Sequence, residues 1–169
     1  MAHDIFMRIE NMESGEVITQ NACNRESLGS AEKPGHEDEC WVTALEHVVD
    51  IPMNPQTGQV TGNVRHKGIK VAKLIDRCSP LLAEQLTNPQ ALDVEIHYYR
   101  PGDDGDKEHY YTVHLEDAKI IGIETHSPDI LDENNDARSP FEEIKVIYGK
   151  ITWDHEICAT TGAHDATIV

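Results

Sequence analysis

"VEIHYYRPGDDGDKEHYYTVHLE", Val94 to Glu116, alternates before and after a polar centre. Val94, Ile96 and Tyr98 fall on one side of an extended chain, with Glu95, His97 and Tyr99 on the other. Beyond the turn, Tyr111, Val113 and Leu115 alternate with Thr112, His114 and Glu116. Period-two alternation marks strands with one buried face, and "PGDDGDKE", with Asp104-Gly105 inside it, is a cluster of turn formers, so the stretch predicts an antiparallel hairpin with an acidic tip.

The same alternation recurs at Asp4–Ile9, Trp41–Ile51, Gly68–Ile75, Ala118–Thr125 and Glu143–Thr152. With the hairpin arms this gives about seven strands, a number that suits a sandwich or barrel. One helix stands out in "SPLLAEQLTNP", with Ser79 as N-cap, Pro80 at the first helical position, Leu82 and Leu86 one turn apart, and Asn88-Pro89 as the stop. Its expected place is one open end or edge of the β structure. No linker, repeat or low-complexity tract divides the 169 residues, a length that one core can serve, so one domain over 1–169 is expected.

The chain has 31 Asp plus Glu against 14 Lys plus Arg, a formal net charge of -17. That field disfavours nucleic acid and anionic lipid. It also opposes self-association, so an oligomer must offset the repulsion with contact area, charge pairing or screening. The start, "MAHDIFMRIE", has neither the basic residues nor the apolar run of a secretory signal, and no stretch reaches membrane-spanning length. The expectation is a protein made in the cytoplasm without membrane insertion. Four scattered cysteines, Cys23, Cys40, Cys78 and Cys158, form no C-x-x-C pair, which favours free thiols over a zinc site.

Two clusters invite a ligand. "GHEDEC" resembles the zinc motif H-E-x-x-H, but Cys40 stands where the second His belongs, and Pro34-Gly35 before it with Trp41 and Val42 after it read as a loop entering a strand. A metal-dependent hydrolase using His36, Glu37 and Glu39 is the alternative it leaves open. In "DENNDARSPFEE", Asp132, Asn134, Asp136 and Glu143 occupy positions 1, 3, 5 and 12 of the calcium-loop pattern, with Ala137 where the turn wants Gly and Pro140 inside the loop. A calcium-binding module is therefore a second alternative. The ten histidines sit in no recognisable catalytic arrangement and read as surface residues, and no phosphate-cradling or dinucleotide motif is present. No cofactor is expected. "PMNPQTGQVTGN" between two strand-like runs is rich in Pro, Gly, Asn, Gln and Thr, and a loop of this length is functional or disordered as a rule.

Taken in order, "MAHDIFMRIE", "GHEDE", "PMNPQTGQ", "SPLL", "HYYRP" and "FEEIKVIYGKITWDHE" resemble the Hcp (haemolysin-coregulated protein) tube subunits of bacterial type VI secretion systems. The resemblance implies a mainly β fold, a small antiparallel β-barrel of two sheets with one flanking α-helix. It implies a homo-hexameric ring, stacking of rings into a hollow tube inside a sheath behind a spike, and secretion without a signal peptide. It also implies carriage of small effector proteins in the lumen and no enzyme chemistry. In that setting the long loop, Pro52, Met53, Asn54, Pro55, Gln56, Thr57, Gly58, Gln59, Val60, Thr61, Gly62 and Asn63, becomes the ring or stacking contact, and Glu37 and Glu39 become interface charges.

Overall fold

The computed structural model describes residues 3–166, so the ends of "MAHDIFMRIE" and of the C-terminal tail, residues 1, 2 and 167–169, lie outside the described residues. Eight strands form: β1 (Asp4–Asn11), β2 (Cys40–Asp50), β3 (Arg65–Leu74), β4 (Leu92–Pro101), β5 (Lys107–His126), β6 (Phe141–Ile147), β7 (Lys150–His155) and β8 (Thr160–Asp165). Two helices accompany them, the single turn α1 (Arg25–Leu28) and α2 (Ser79–Thr87). Strands run in the order β4-β1-β2-β3-β6-β5-β7-β8, and β4 also pairs with β5. That extra pairing closes a ring of strands, with β7 and β8 continuing along one side of β5. All ladders are antiparallel.

The hairpin stands as the alternation predicts. Val94 lies opposite Leu115, Ile96 opposite Val113 and Tyr98 opposite Tyr111. The turn is closed by the Gly102 N–H donating to the Asp106 carbonyl at 2.7 Å, and Gly105 takes the left-handed conformation at φ 86 that a side chain resists. Its second arm does not stop at Glu116. Ala118–Thr125, expected as a separate strand, is the far half of β5, which changes partner from β4 and β7 to β6. The opposite correction holds for Glu143–Thr152, which is two strands broken at Tyr148 and Gly149. The break and the change of partner are one event: the Gly149 N–H donates to the carbonyls of Glu116 at 3.0 Å and Asp117 at 3.2 Å, and Asp117 turns to φ 51.

The inward faces supply one core. Met7 and Ile9, Ile69 and Val71, Val94 and Ile96, Val113 and Leu115, Ile144 and Val146, and Leu82 of α2 are all buried in it. α2 differs from expectation in its start: Cys78 holds the N-cap position and Ser79 is the first helical residue. The reason is Asp76, whose Oδ1 accepts the Cys78 N–H at 3.0 Å, while Ser79 Oγ accepts the Asp76 N–H at 3.0 Å. Leu82 enters the core, whereas Leu86 remains 41% exposed.

Ser79 is drawn inward by a lysine. By strand phase Lys73 follows Ile69 and Val71 to the inside, and it is fully buried. Its Nζ donates to Asp76 Oδ1 at 2.8 Å, Ser79 Oγ at 3.0 Å and the Leu74 carbonyl at 3.2 Å, and it pairs with Glu142 Oε1 at 2.6 Å. Burial opposes its charge, and the two acids paired with it offset that cost. Truncating the cation strands two buried acids. Lys73→Met is therefore expected to lower unfolding free energy by about 3–5 kcal/mol, read from urea midpoints. The triple change that also makes Asp76→Asn and Glu142→Gln should recover part of that loss; a loss below about 1 kcal/mol for Lys73→Met would refute the role given to the ion.

Candidate functional site

The segment between β2 and β3 leaves the barrel as a hairpin arm. Its root is the Asp50–Arg65 pair, where Arg65 Nε donates to Asp50 Oδ1 at 2.8 Å and Lys67 Nζ lies 3.2 Å from the other oxygen. Farther out, the Thr61 N–H donates to the Pro52 carbonyl at 2.9 Å, Met53 bridges to Val60, and the Asn54 N–H donates to the Gln59 carbonyl at 2.8 Å. The tip turns over Pro55 to Gly58, where Gly58 takes φ 71 and Asn54 Oδ1 accepts the Gln56 N–H at 2.9 Å. The two sides of the arm approach so closely that a Cβ on Gly62 would meet Pro52 Cγ at 2.9 Å. The arm buries little of itself: Met53 is 57% and Val60 60% exposed, and Val49, Ile51 and Val64 at its root are exposed too. It is an ordered, uncharged, partly apolar finger on a strongly acidic protein.

The "GHEDE" turn lies on the outside of the barrel, as a loop entering β2. Strand phase sends Phe6 outward, yet it is fully buried, because the His36 ring stacks on it at 3.8 Å and 7°. Tyr99 meets both rings edge-on. Glu39 joins the turn to β4, with His36 Nδ1 2.7 Å from its Oε2 and His97 Nδ1 2.5 Å from its Oε1. His97 Nε2 also lies 3.1 Å from Glu95 Oε2. The reading of His97 as a surface histidine is corrected here: the turn covers this part of the polar face. Both Glu39 oxygens are engaged within the chain. Glu37 is exposed, and its Oε1 accepts the Gly35 N–H at 2.9 Å.

Burial opposes ionisation of Glu39, but hydrogen bonds from His97 and His36 outweigh it and hold the carboxyl below its ordinary value. Burial likewise opposes protonation of His97, and Glu39 with Glu95 outweighs it and raises the imidazole above its ordinary value. The raised His97 stabilises the fold fully below 6.5 and ceases to do so as pH rises through its folded value. The lowered Glu39 stabilises above 4.5 and ceases to as pH falls through its folded value.

The calcium pattern is not assembled among the described residues. Asp132 caps a short turn by accepting the Asn134 N–H at 3.0 Å, while Glu143 sits on β6 beside Lys70 Nζ at 2.9 Å and His126 Nε2 at 3.3 Å. Among the described residues, Cys40–Asp76–Cys78, Asp93–Glu95–His114 and Glu124–His126–Glu143 bring three ligand-type atoms within 4.8 Å of one another; the His36–Glu39 turn does not. A second chain of imidazoles escaped sequence reading. Tyr148 Oη lies 2.8 Å from His47 Nε2 and 2.7 Å from His66 Nδ1, and His66 Nε2 lies 2.7 Å from His164 Nδ1. It ties β8 to β2 and β3, and its members are too far apart in sequence to signal one another.

Comparison with known proteins agrees with this geometry. The family profile described as "Type VI secretion system effector, Hcp" matches residues 6–155. The Major exported protein of Pseudomonas aeruginosa is 40% identical over 166 residues, covering 98% of this chain and 96% of that protein. A crystal structure of an Hcp protein superposes with a TM-score of 0.91 at 33% identity, over 97% of this chain and 98% of the other. Secreted protein Hcp3 of P. aeruginosa does so at 0.80 and 34%, with 97% and 98% covered.

The Glu39 link is checked by NMR titration. In Glu39→Gln the His97 pKa is expected to fall from its raised value, and between pH 8 and pH 6 the variant should gain less stability, or lose more, than wild type. An unchanged His97 titration would show that Glu39 does not hold it.

Proposed function

The chain belongs to the Hcp family of secreted type VI secretion system proteins, and from that premise we propose that it is the repeating subunit of the inner tube. In this reading it assembles as hexameric rings that stack into a hollow shaft, within a sheath and behind a spike, and small effector proteins travel in the lumen. The protein acts mechanically and as a carrier, without enzyme chemistry, and passes from the cytoplasm to the outside. Among the described residues no helix is long and apolar enough to cross a membrane.

The observation that carries the proposal is the arm. Ordering a hairpin costs backbone entropy of roughly 1–2 kcal/mol per residue, and this one recovers almost nothing by burial within its own chain. Exposed Met53 and Val60 on an outreaching element are recovered when a neighbour covers them. A contact between unlike surfaces, repeated head to tail, closes into a ring where the rotation allows. The lack of charge from Pro52 to Val64 suits that contact, since every copy brings its own net charge of -17. Glu37, exposed beside the turn, is an interface charge in this reading; Glu39 contributes by holding the turn that presents it.

Six copies of an 18.9 kDa chain come to about 113 kDa. Size exclusion with light scattering is expected to give that mass, with annular particles in negative stain; a monomer at both low and moderate salt would overturn the assembly. Replacing Met53–Gly62 by a short Gly-Ser linker is expected to leave the melting of the subunit within a few degrees of wild type while abolishing ring formation or stacking. Unchanged rings and tubes in micrographs would remove the arm from the interface.

A further inference from the structure

Two thiols that no role above uses touch inside the barrel. Cys40 opens β2 and Cys78 caps α2; both are fully buried, and their sulfurs are 3.0 Å apart. A disulfide bond is about 2.05 Å long, so the sulfurs must approach by only about 1 Å. The surroundings tolerate the change. Cys78 Sγ donates to Asp76 Oδ1 at 2.9 Å, but that oxygen also receives the Cys78 N–H at 3.0 Å and Lys73 Nζ at 2.8 Å, so loss of the thiol proton leaves it satisfied. Of the remaining cysteines, Cys23 is buried and Cys158 is exposed.

We infer that Cys40 and Cys78 are a modification site, closing into an internal disulfide when the protein leaves a reducing compartment for one that holds small disulfides. When the α2 cap opens locally, a thiolate of the pair attacks the small disulfide, releasing one thiol and leaving a mixed disulfide. The second cysteine loses its proton, attacks the mixed disulfide and releases the other thiol. Two protein thiols are oxidised to one disulfide, and one small disulfide is reduced to two thiols. Burial pushes the Cys40 thiol up, away from the reactive thiolate, so exchange is slow and the reduced pair persists while a thiol pool surrounds it. The bond would join the entry of β2 to the cap of α2, beside the Asp76 that Lys73 already holds. Export, part of the reading above, supplies only the setting; the chemistry is tested on purified protein, so its failure leaves that reading standing.

The reduced full chain is incubated, folded, with glutathione disulfide, quenched in acid, then unfolded in iodoacetamide and analysed by intact mass and peptide mapping. In Cys158→Ser, which has no exposed thiol to take up glutathione, the expected product is about 2 Da lighter before alkylation; in both chains a Cys40 peptide is linked to a Cys78 peptide and melting is roughly 5–10 °C higher, reversibly on adding dithiothreitol. Cys158→Ser should retain the bond, and Cys40→Ser should lose it. Mapping of the unaltered chain decides even if Cys40→Ser fails to fold. Cys40 and Cys78 both found alkylated, or a linkage running through Cys23 instead, would overturn the inference.

Discussion

One lysine without exposed surface ties the barrel strands to their helix. Taking an ammonium out of water costs several kcal/mol even after relaxation, and the cost is met only when opposite charges and lone pairs are placed around it. Asp76, Glu142, Ser79 and the Leu74 carbonyl do this for Lys73, and they come from β3, β6, α2 and the loop between. The interaction therefore specifies more than it stabilises. Lys73 lies directly opposite Glu142; slipping β3 by one residue would turn the cation to the outside and leave the acids buried alone. The same Asp76 that neutralises Lys73 caps α2, which is why the helix begins where it does and why Leu82 reaches the core.

What the sequence displayed, and what it concealed, turns on phase. The hairpin from Val94 to Glu116 was legible because its alternation is uninterrupted and its turn chemistry is explicit. Past that point the inward positions run Val113, Leu115, Ala118, Ile120, and on the partner side Val146, Tyr148, Ile151, each with one step of three in place of two. A step of three reads equally as a strand end or as a bulge. At Asp117 it is a bulge within one long strand, and at Gly149 it is a break between two. The two irregularities face each other and share hydrogen bonds, which no one-dimensional pattern reveals. Lys73 and Glu142 went unread: the strand expected from Glu143 leaves Glu142 outside it, and a lysine among alternating residues marks no partner until β3 and β6 are laid side by side.

The outer face follows a different logic. His36 and Glu39 could be placed in a turn before β2, but not on Phe6 or against His97, because those partners lie on β1 and β4 and nothing local marks them. Here the polar positions of strands become a second, mixed layer: an aromatic floor, an imidazole lid and a carboxylate between two histidines. The arm could be singled out by composition alone, since an uncharged stretch rich in turn formers is conspicuous in an acidic chain. Its hairpin form rests on backbone bonds between Pro52 and Thr61 and between Asn54 and Gln59, and these depend on Gly58 and Gly62 at positions a side chain would strain or obstruct.

The two histidine groups respond to acid in opposite directions. His97 is held above its ordinary value by carboxylates, so protonation tightens the turn over Phe6. His47 and His66 are held below theirs, by burial first and then by a neighbouring imidazole, so their neutral forms are the ones the fold favours, and the stability they contribute is lost as pH falls below 6.5. The His66–His164 contact requires an unprotonated nitrogen on one ring, so double protonation removes the hydrogen bond and sets two cations together. That contact holds β8, the strand at the free edge of the sheet, and its inner partners stand on β2 and β3 at the root of the arm. Mild acid therefore favours the turn over Phe6 and disfavours the histidine chain at the root of the arm.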